Sequence, residues 1–160
     1  MKQGTMRLLA VCLLAVVLLA GCTQNSDPRQ SVSSLLGADL TGGEIVQEKD
    51  THSGFHGDGS YYLELSFEQE TADALAQTLS SAEGWQSCPL SETAKTLLGY
   101  LSEELPAVPE CENGYWKLID RFQGDEQEQS TPLLDRASIN MSLAVYNADT
   151  ARLYYVELDT

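Results

Sequence analysis

Residues 50–67 read DTHSGFHGDGSYYLELSF, and the rest of the chain is organised around this segment. In its second half, apolar side chains alternate with others over residues 61–67, the period-two pattern of a half-buried β-strand. Its first half holds both histidines of the chain and three glycines, a composition typical of a shaped connection. A shorter alternating run precedes it at residues 44–49. The two runs therefore predict a β-hairpin with a long, glycine-rich connection.

The rest of the chain adds two predicted helices and three predicted strands. Apolar side chains recur at helical spacing over residues 70–82. Pro89 and Ser91 open a second, shorter helix. Period-two patterns at residues 114–122, 138–146 and 152–158 predict the strands, and the last two are joined by a turn.

These elements predict an α+β fold. We expect a mainly antiparallel sheet of about five strands in the order β-β-α-α-β-β-β, with helices on one face. The opposite face of the sheet would then be partly exposed to solvent. Four tyrosines fit such a sheet as half-buried packing or, alternatively, as a ligand platform: Tyr62, Tyr146, Tyr154 and Tyr155.

The N-terminus has the pattern of an export signal. Lys2 and Arg7 precede an unbroken apolar run at residues 8–20, which is too short for a comfortable bilayer span. The run ends in LAGC at residues 19–22, which resembles the lipobox of bacterial lipoproteins. The resemblance implies cleavage before Cys22 and a diacylglyceryl group on its sulfur. An ordinary secretory signal or a short anchor helix is the alternative.

The lipobox divides the chain into three parts. Residues 1–21 are interpreted as a lipoprotein signal peptide. Residues 22–43 are rich in Ser, Gln and Asp, and we interpret them as the lipidated Cys22 followed by a flexible tether. Residues 44–160 are predicted to form a single α+β domain. The expected location is the extracytoplasmic face of the cell membrane, held by lipid.

The mature chain is strongly acidic. The formal charge of the whole sequence is −15, and loss of two basic residues with the signal peptide leaves seven basic side chains against 24 acidic ones. Nucleic acid is therefore excluded as a partner, because phosphate binding needs a basic surface. The excess of acidic side chains favours solubility and repulsion from an anionic membrane surface. The alternative is weak binding of cations or of a basic partner.

Two cysteines remain in the mature domain besides Cys22. Cys88 and Cys111 flank 22 residues, and an oxidising compartment favours a disulfide between them. Closing such a loop stabilises a fold by roughly 3 kcal/mol. Two buried free thiols are the alternative.

The glycine-rich connection is the candidate site. Its polar side chains could converge on a divalent cation such as zinc, or His56 could act as a general base oriented by an aspartate. The candidate residues are Asp50, His52, His56 and Asp58. The alternative is a shaped hairpin end, in which Gly54, Gly57 and Gly59 supply positive φ and close backbone approach.

Three segments carry a second resemblance. Residues 50–59 (D-T-H-x-G-F-H-G-D-G), 113–121 (N-G-Y-x-x-x-I-D-R) and 143–160 (ending Y-Y-x-E-L-D-T) together resemble a family of small uncharacterised lipoproteins of Gram-positive bacteria. The family implies no activity that transfers to a residue. We therefore predict a binding or interaction module for an unknown envelope protein or ligand, without a cofactor. The alternative is a metal-binding or metal-dependent hydrolytic protein that uses the loop at residues 50–58.

Overall fold

The computed structural model describes residues 27–53 and 57–160, which form one antiparallel sheet with helices packed against it. The elements in chain order are α1 (Pro28–Leu36), β1 (Glu44–Asp50), β2 (Gly59–Ser66), α2 (Gln69–Leu79), β3 (Gln86–Ser87), α3 (Glu92–Leu101), β4 (Gly114–Asp120), α4 (Glu126–Ser130), a 3₁₀ turn (Leu133–Asp135), β5 (Asn140–Asn147) and β6 (Arg152–Asp159). The predicted α+β class and its predicted strands are confirmed.

The sheet has six strands in the spatial order β1-β2-β6-β5-β4-β3. Every strand pair within the described residues is antiparallel. The sixth strand is β3, whose two residues are too few to show a periodic pattern in sequence. The last strand of the chain, β6, lies between β2 and β5, and this insertion brings the C-terminal residues beside the hairpin connection.

Helices cover both faces of the sheet, so the predicted placement on one face is wrong. Side chains of α1 and α2 pack with Leu63 and Leu65 of β2 on one face. Side chains of α3 pack with Tyr62 and Leu143 on the other. The physical reason is that the central strands are apolar on both faces, the pattern of a sheet buried on both sides. The four tyrosines expected to be half-buried are consequently buried: Tyr62, Tyr146, Tyr154 and Tyr155.

The prediction of a flexible tether over residues 22–43 is wrong for its described part. Asp27 caps α1 by accepting a hydrogen bond from the backbone N–H of Arg29 at 3.0 Å, and Gly37 ends the helix with φ +70°. Val32 and Leu36 lie one turn apart and are buried against the sheet. The polar composition of this segment concealed its two-residue apolar stripe. Residues 27–43 therefore belong to the folded domain.

No helix among residues 27–53 and 57–160 is both long and apolar enough to cross a membrane. The signal peptide and the lipidated Cys22 lie outside the described residues, so both stay predictions.

Helix α3, the second of the two helices predicted from the sequence, begins where it was predicted to begin. The Ser91 hydroxyl accepts a hydrogen bond from the backbone N–H of Ala94 at 3.2 Å, which makes Ser91 the N-cap of α3. Leu97 and Leu101 then lie on its buried face.

Candidate binding cleft

The hairpin connection is shaped by its glycines. Gly57 has φ +75° and Gly59 has φ +156°, both in the region that favours glycine. A Cβ on Gly59 would lie 2.5 Å from the Cα of His52, so the two backbone segments touch here. The predicted positive φ is confirmed for Gly57 and Gly59 and the predicted close backbone approach for Gly59, whereas Gly54 lies outside the described residues.

This close approach fixes His52 between two carboxylates. Its Nδ1 lies 2.7 Å from Asp50 Oδ1, and its Nε2 lies 3.1 Å from Asp159 Oδ2. Both ring nitrogens donate at once only in the imidazolium form. Burial lowers the pKa of His52, but the hydrogen bonds to the two aspartates outweigh it, and the pKa is raised. The backbone N–H of His52 donates to Asp50 and, together with the imidazole, lowers the pKa of Asp50.

Arg121 is the second cation of the cluster. Its Nη2 lies 3.0 Å from Asp159 Oδ2 and 3.8 Å from Glu157 Oε2. The same atom donates to the carbonyl of Met141 at 3.0 Å, which holds the guanidinium against β5. Glu157 also accepts a hydrogen bond from the Tyr155 hydroxyl. Three carboxylates therefore face one guanidinium and one imidazole.

A cleft of about 290 Å³ opens beside this cluster. One wall is α1, and the floor is the end of the sheet. The lining residues of this α1 cleft are Pro28, Ser31, Val32, Leu35, Asp50, His52, Tyr61, Tyr155 and Glu157. Tyr61 and Tyr155 meet edge to face, with ring centroids 6.2 Å apart. The α1 cleft thus combines apolar and aromatic surface with converging charged groups, which is the usual make-up of a small-ligand site.

The structure brings together half of the predicted site. Asp50 and His52 meet as expected. Asp58 has an exposed side chain and lines other surface depressions, away from the α1 cleft. His56 lies outside the described residues, so its predicted roles stay predictions.

Sequence reasoning missed Arg121, Tyr155, Glu157 and Asp159. The last three alternate on one face of β6, and Arg121 directly follows β4. All four fall within the two other segments of the family-like pattern, residues 113–121 and 143–160. That co-occurrence was the available signal, since it grouped these segments with the loop at residues 50–59.

A different set of residues from the predicted one could hold a metal ion. Ligand atoms of His52, Glu157 and Asp159 all lie within 4.8 Å of one another. A bound cation would require deprotonation of His52, because an imidazolium has no free lone pair. It would also compete with Arg121, which already pairs with Asp159.

The His52 cluster predicts a pH-dependent contribution to stability. Because the folded-state pKa is raised, protonated His52 stabilises the fold below its unfolded pKa of about 6.5, and this stabilisation is lost as the pH rises through the folded-state pKa. Compared with His52→Gln, the wild type should have a free energy of unfolding higher by on the order of 0.5–1 kcal/mol at about pH 5.5, falling towards zero by about pH 8.5.

Urea unfolding of both proteins across this pH range measures the difference. Asp50 remains charged at the lower pH because its own pKa is lowered. A difference that is constant with pH would contradict the assigned hydrogen bonds.

The predicted cysteine pair lies together in the fold. The Sγ atoms of Cys88 and Cys111 are 2.7 Å apart and are not covalently bonded. Cys111 is buried and Cys88 is half-buried. Burial raises the pKa of both thiols, so neither is a reactive thiolate at neutral pH. The disulfide itself stays a prediction.

Alkylation in urea tests the pair. In protein isolated from an oxidising compartment, we expect no adduct before reduction and two adducts after it. Reduction should lower the free energy of unfolding by roughly 3 kcal/mol, because the bridge constrains the unfolded chain. Two adducts on the unreduced, unfolded protein would establish free thiols instead.

Comparisons of the chain with protein-family models, curated proteins and solved structures find no match. The two resemblances noted in the sequence therefore stay predictions, and function is argued from the α1 cleft.

Proposed function

We propose that the protein is a lipid-anchored extracytoplasmic binding module that binds a small organic cation in the α1 cleft. One observation carries the ligand class: the carboxylates of Asp50 and Glu157 line a cavity that has an aromatic floor and an apolar wall. The cavity suits an ammonium or guanidinium group attached to a short apolar body. The acidic mature chain favours the same charge of ligand by raising the local concentration of cations.

Different side chains of the α1 cleft are placed to contact the charged and the apolar parts of the ligand. Glu157 lines the cavity and is 3.8 Å from Arg121, a looser pairing than the 3.0 Å contact between Arg121 and Asp159. Glu157 is therefore the carboxylate best placed to accept a ligand's N–H groups. The rings of Tyr61 and Tyr155 offer π-faces or edges to the cation and its apolar part. Leu35, which is partly exposed on α1, contributes apolar contact.

A divalent cation is the second candidate ligand, because ligand atoms of His52, Glu157 and Asp159 lie close together. The two ligands make different demands on His52. A metal ion needs the imidazole as a ligand, whereas an ammonium group is repelled by its protonated form.

The variant His52→Gln separates them. It should abolish binding of Zn²⁺ and preserve or strengthen binding of hexylamine, with both titrations followed by calorimetry. Loss of hexylamine binding together with retained Zn²⁺ binding would refute the organic-cation proposal.

Cys22→Ala tests the anchor. Without the thiol that is alkylated, the chain should carry no labelled palmitate and should leave the membrane fraction, since stable attachment needs the diacyl group. Ser26→Ala, outside the lipobox, is the matched control. A Cys22→Ala protein that remains membrane-bound and labelled would contradict lipidation.

A further inference from the structure

The folded domain begins close to the proposed anchor. The guanidinium of Arg29 donates to both oxygens of the Asp27 carboxylate, with Nε 2.9 Å from Oδ1 and Nη2 2.6 Å from Oδ2. Its Nη1 donates to the carbonyl of Gly43 at 2.8 Å, just before β1. The start of α1 is thereby fixed to the segment that enters the sheet. The chain has no freedom to act as a spacer from residue 27 onward.

Five peptide units separate Cys22 from Asp27. At 3.3–3.6 Å per residue, they span at most about 18 Å when fully extended. A flexible segment over residues 22–43 would have allowed the domain to stand well away from the bilayer. The folded α1 removes most of that length.

The connection enters the domain on the face that carries α1. This helix packs on one face of the sheet, and α3 packs on the opposite face. The two helices are thus separated by two packed layers of roughly 10 Å each. With a connection of at most 18 Å, α1 is held near the bilayer surface and α3 is held away from it.

The charges of the helices agree with this orientation. Residues 28–36 of α1 contain one basic side chain, Arg29, and no acidic one. By contrast, α2 contains Glu70 and Asp73 and no basic residue, and α3 pairs Glu92 with Lys95. Of these three helices, α1 is therefore repelled least by anionic headgroups, and the acidic α2 shares its sheet face.

We infer that the α1 face is an interaction surface for the lipid bilayer and that the α1 cleft opens towards the headgroup region. This inference rests on the proposed lipidation of Cys22. Because α1 forms one wall of the cleft, this orientation limits the proposed ligands to cationic groups that occur at the membrane surface.

Photo-crosslinking tests the orientation in the full lipidated chain. A photoreactive benzoylphenylalanine replaces Leu35 on α1 in one variant and Tyr100 on α3 in the other. Both positions are exposed, at 37% and 58%, so the substitutions should leave the fold intact. The proteins are reconstituted in vesicles of equal parts phosphatidylglycerol and phosphatidylethanolamine with a labelled acyl chain. We expect several-fold more lipid cross-linked at position 35 than at position 100.

A lengthened connection is the control. Inserting about 20 Gly and Ser residues between Asn25 and Ser26 adds a mean reach of roughly 25 Å. It should remove the difference between the two positions. Equal cross-linking with the natural connection, or none at either position, would overturn the inference. A difference that persists with the long linker would overturn the short connection as its cause. Failure of lipidation is distinguishable, because the protein would then not float with vesicles.

Discussion

Gly114→Ala is expected to destabilise the fold strongly. Gly114 begins β4 with φ +155°, and a Cβ there would lie 1.9 Å from the carbonyl oxygen of Tyr146 and 3.0 Å from Cys111 Sγ. Real Cβ atoms do not come that close, so β4 and β5 would have to separate. Backbone strain and overpacking each cost about 1–3 kcal/mol, and together they remove on the order of 4 kcal/mol, a large part of the stability of a domain of this size.

Gly99→Ala is the matched control for this change. Gly99 lies in α3, and a Cβ there would meet no atom within 4 Å. Alanine should therefore raise the free energy of unfolding by about 0.5–1 kcal/mol, because glycine is a poor helix former. Chemical unfolding of both variants measures the contrast. If Gly114→Ala were as stable as the wild type, the pairing of Gly114 with Asn147 in β4 and β5 would be wrong.

Gly59→Ala should both destabilise the protein and disrupt the candidate site. A Cβ on Gly59 would lie 2.5 Å from the Cα and 2.7 Å from the backbone nitrogen of His52. Relief of this steric overlap requires His52 to move, which breaks the hydrogen bonds of its imidazole to Asp50 and Asp159. We expect a loss of roughly 3 kcal/mol from strain and overpacking. The imidazole resonance of His52 in NMR spectra should also titrate near the ordinary pKa of a histidine.

Gly57→Ala separates conformational strain from steric overlap. Gly57 also has positive φ, but a Cβ there would meet no atom within 4 Å. Alanine at position 57 should lower the free energy of unfolding by only about 1–2 kcal/mol, the penalty for a left-handed conformation. The titration of His52 should be unchanged. Equal effects of the two substitutions would show that the contact between Gly59 and His52 does not shape the site.

Local patterns in the sequence were enough to predict most of the fold. Alternation at residues 61–67 and 152–158 predicted β2 and β6, and the helical spacing after residue 70 predicted α2. These patterns succeed because each reflects burial of a single element. Placement of the helices failed, since it depends on both faces of the strands. In β5, Met141, Leu143 and Val145 face one cluster while Ala144 and Tyr146 face the other.

The α1 cleft was only half predictable for a related reason. Asp50 and His52 are neighbours in sequence, and their composition marked the loop. Glu157 and Asp159 reach the same place only because β6 inserts between β2 and β5. Strand order is a property of the whole sheet, and no local pattern encodes it. The wall formed by α1 was missed because a polar segment with two apolar side chains, Val32 and Leu36, looked like a linker.

Calorimetric titration of the domain with hexylamine, with hexanol as the neutral control, tests whether the α1 cleft binds organic cations. Wild-type protein should bind hexylamine and not hexanol. Glu157→Gln should weaken binding about tenfold, which corresponds to 1.4 kcal/mol, whereas Glu92→Gln on α3 should change nothing. Failure to bind hexylamine, equal binding of hexanol, or an affinity that Glu157→Gln leaves unchanged would contradict a cation-binding cleft.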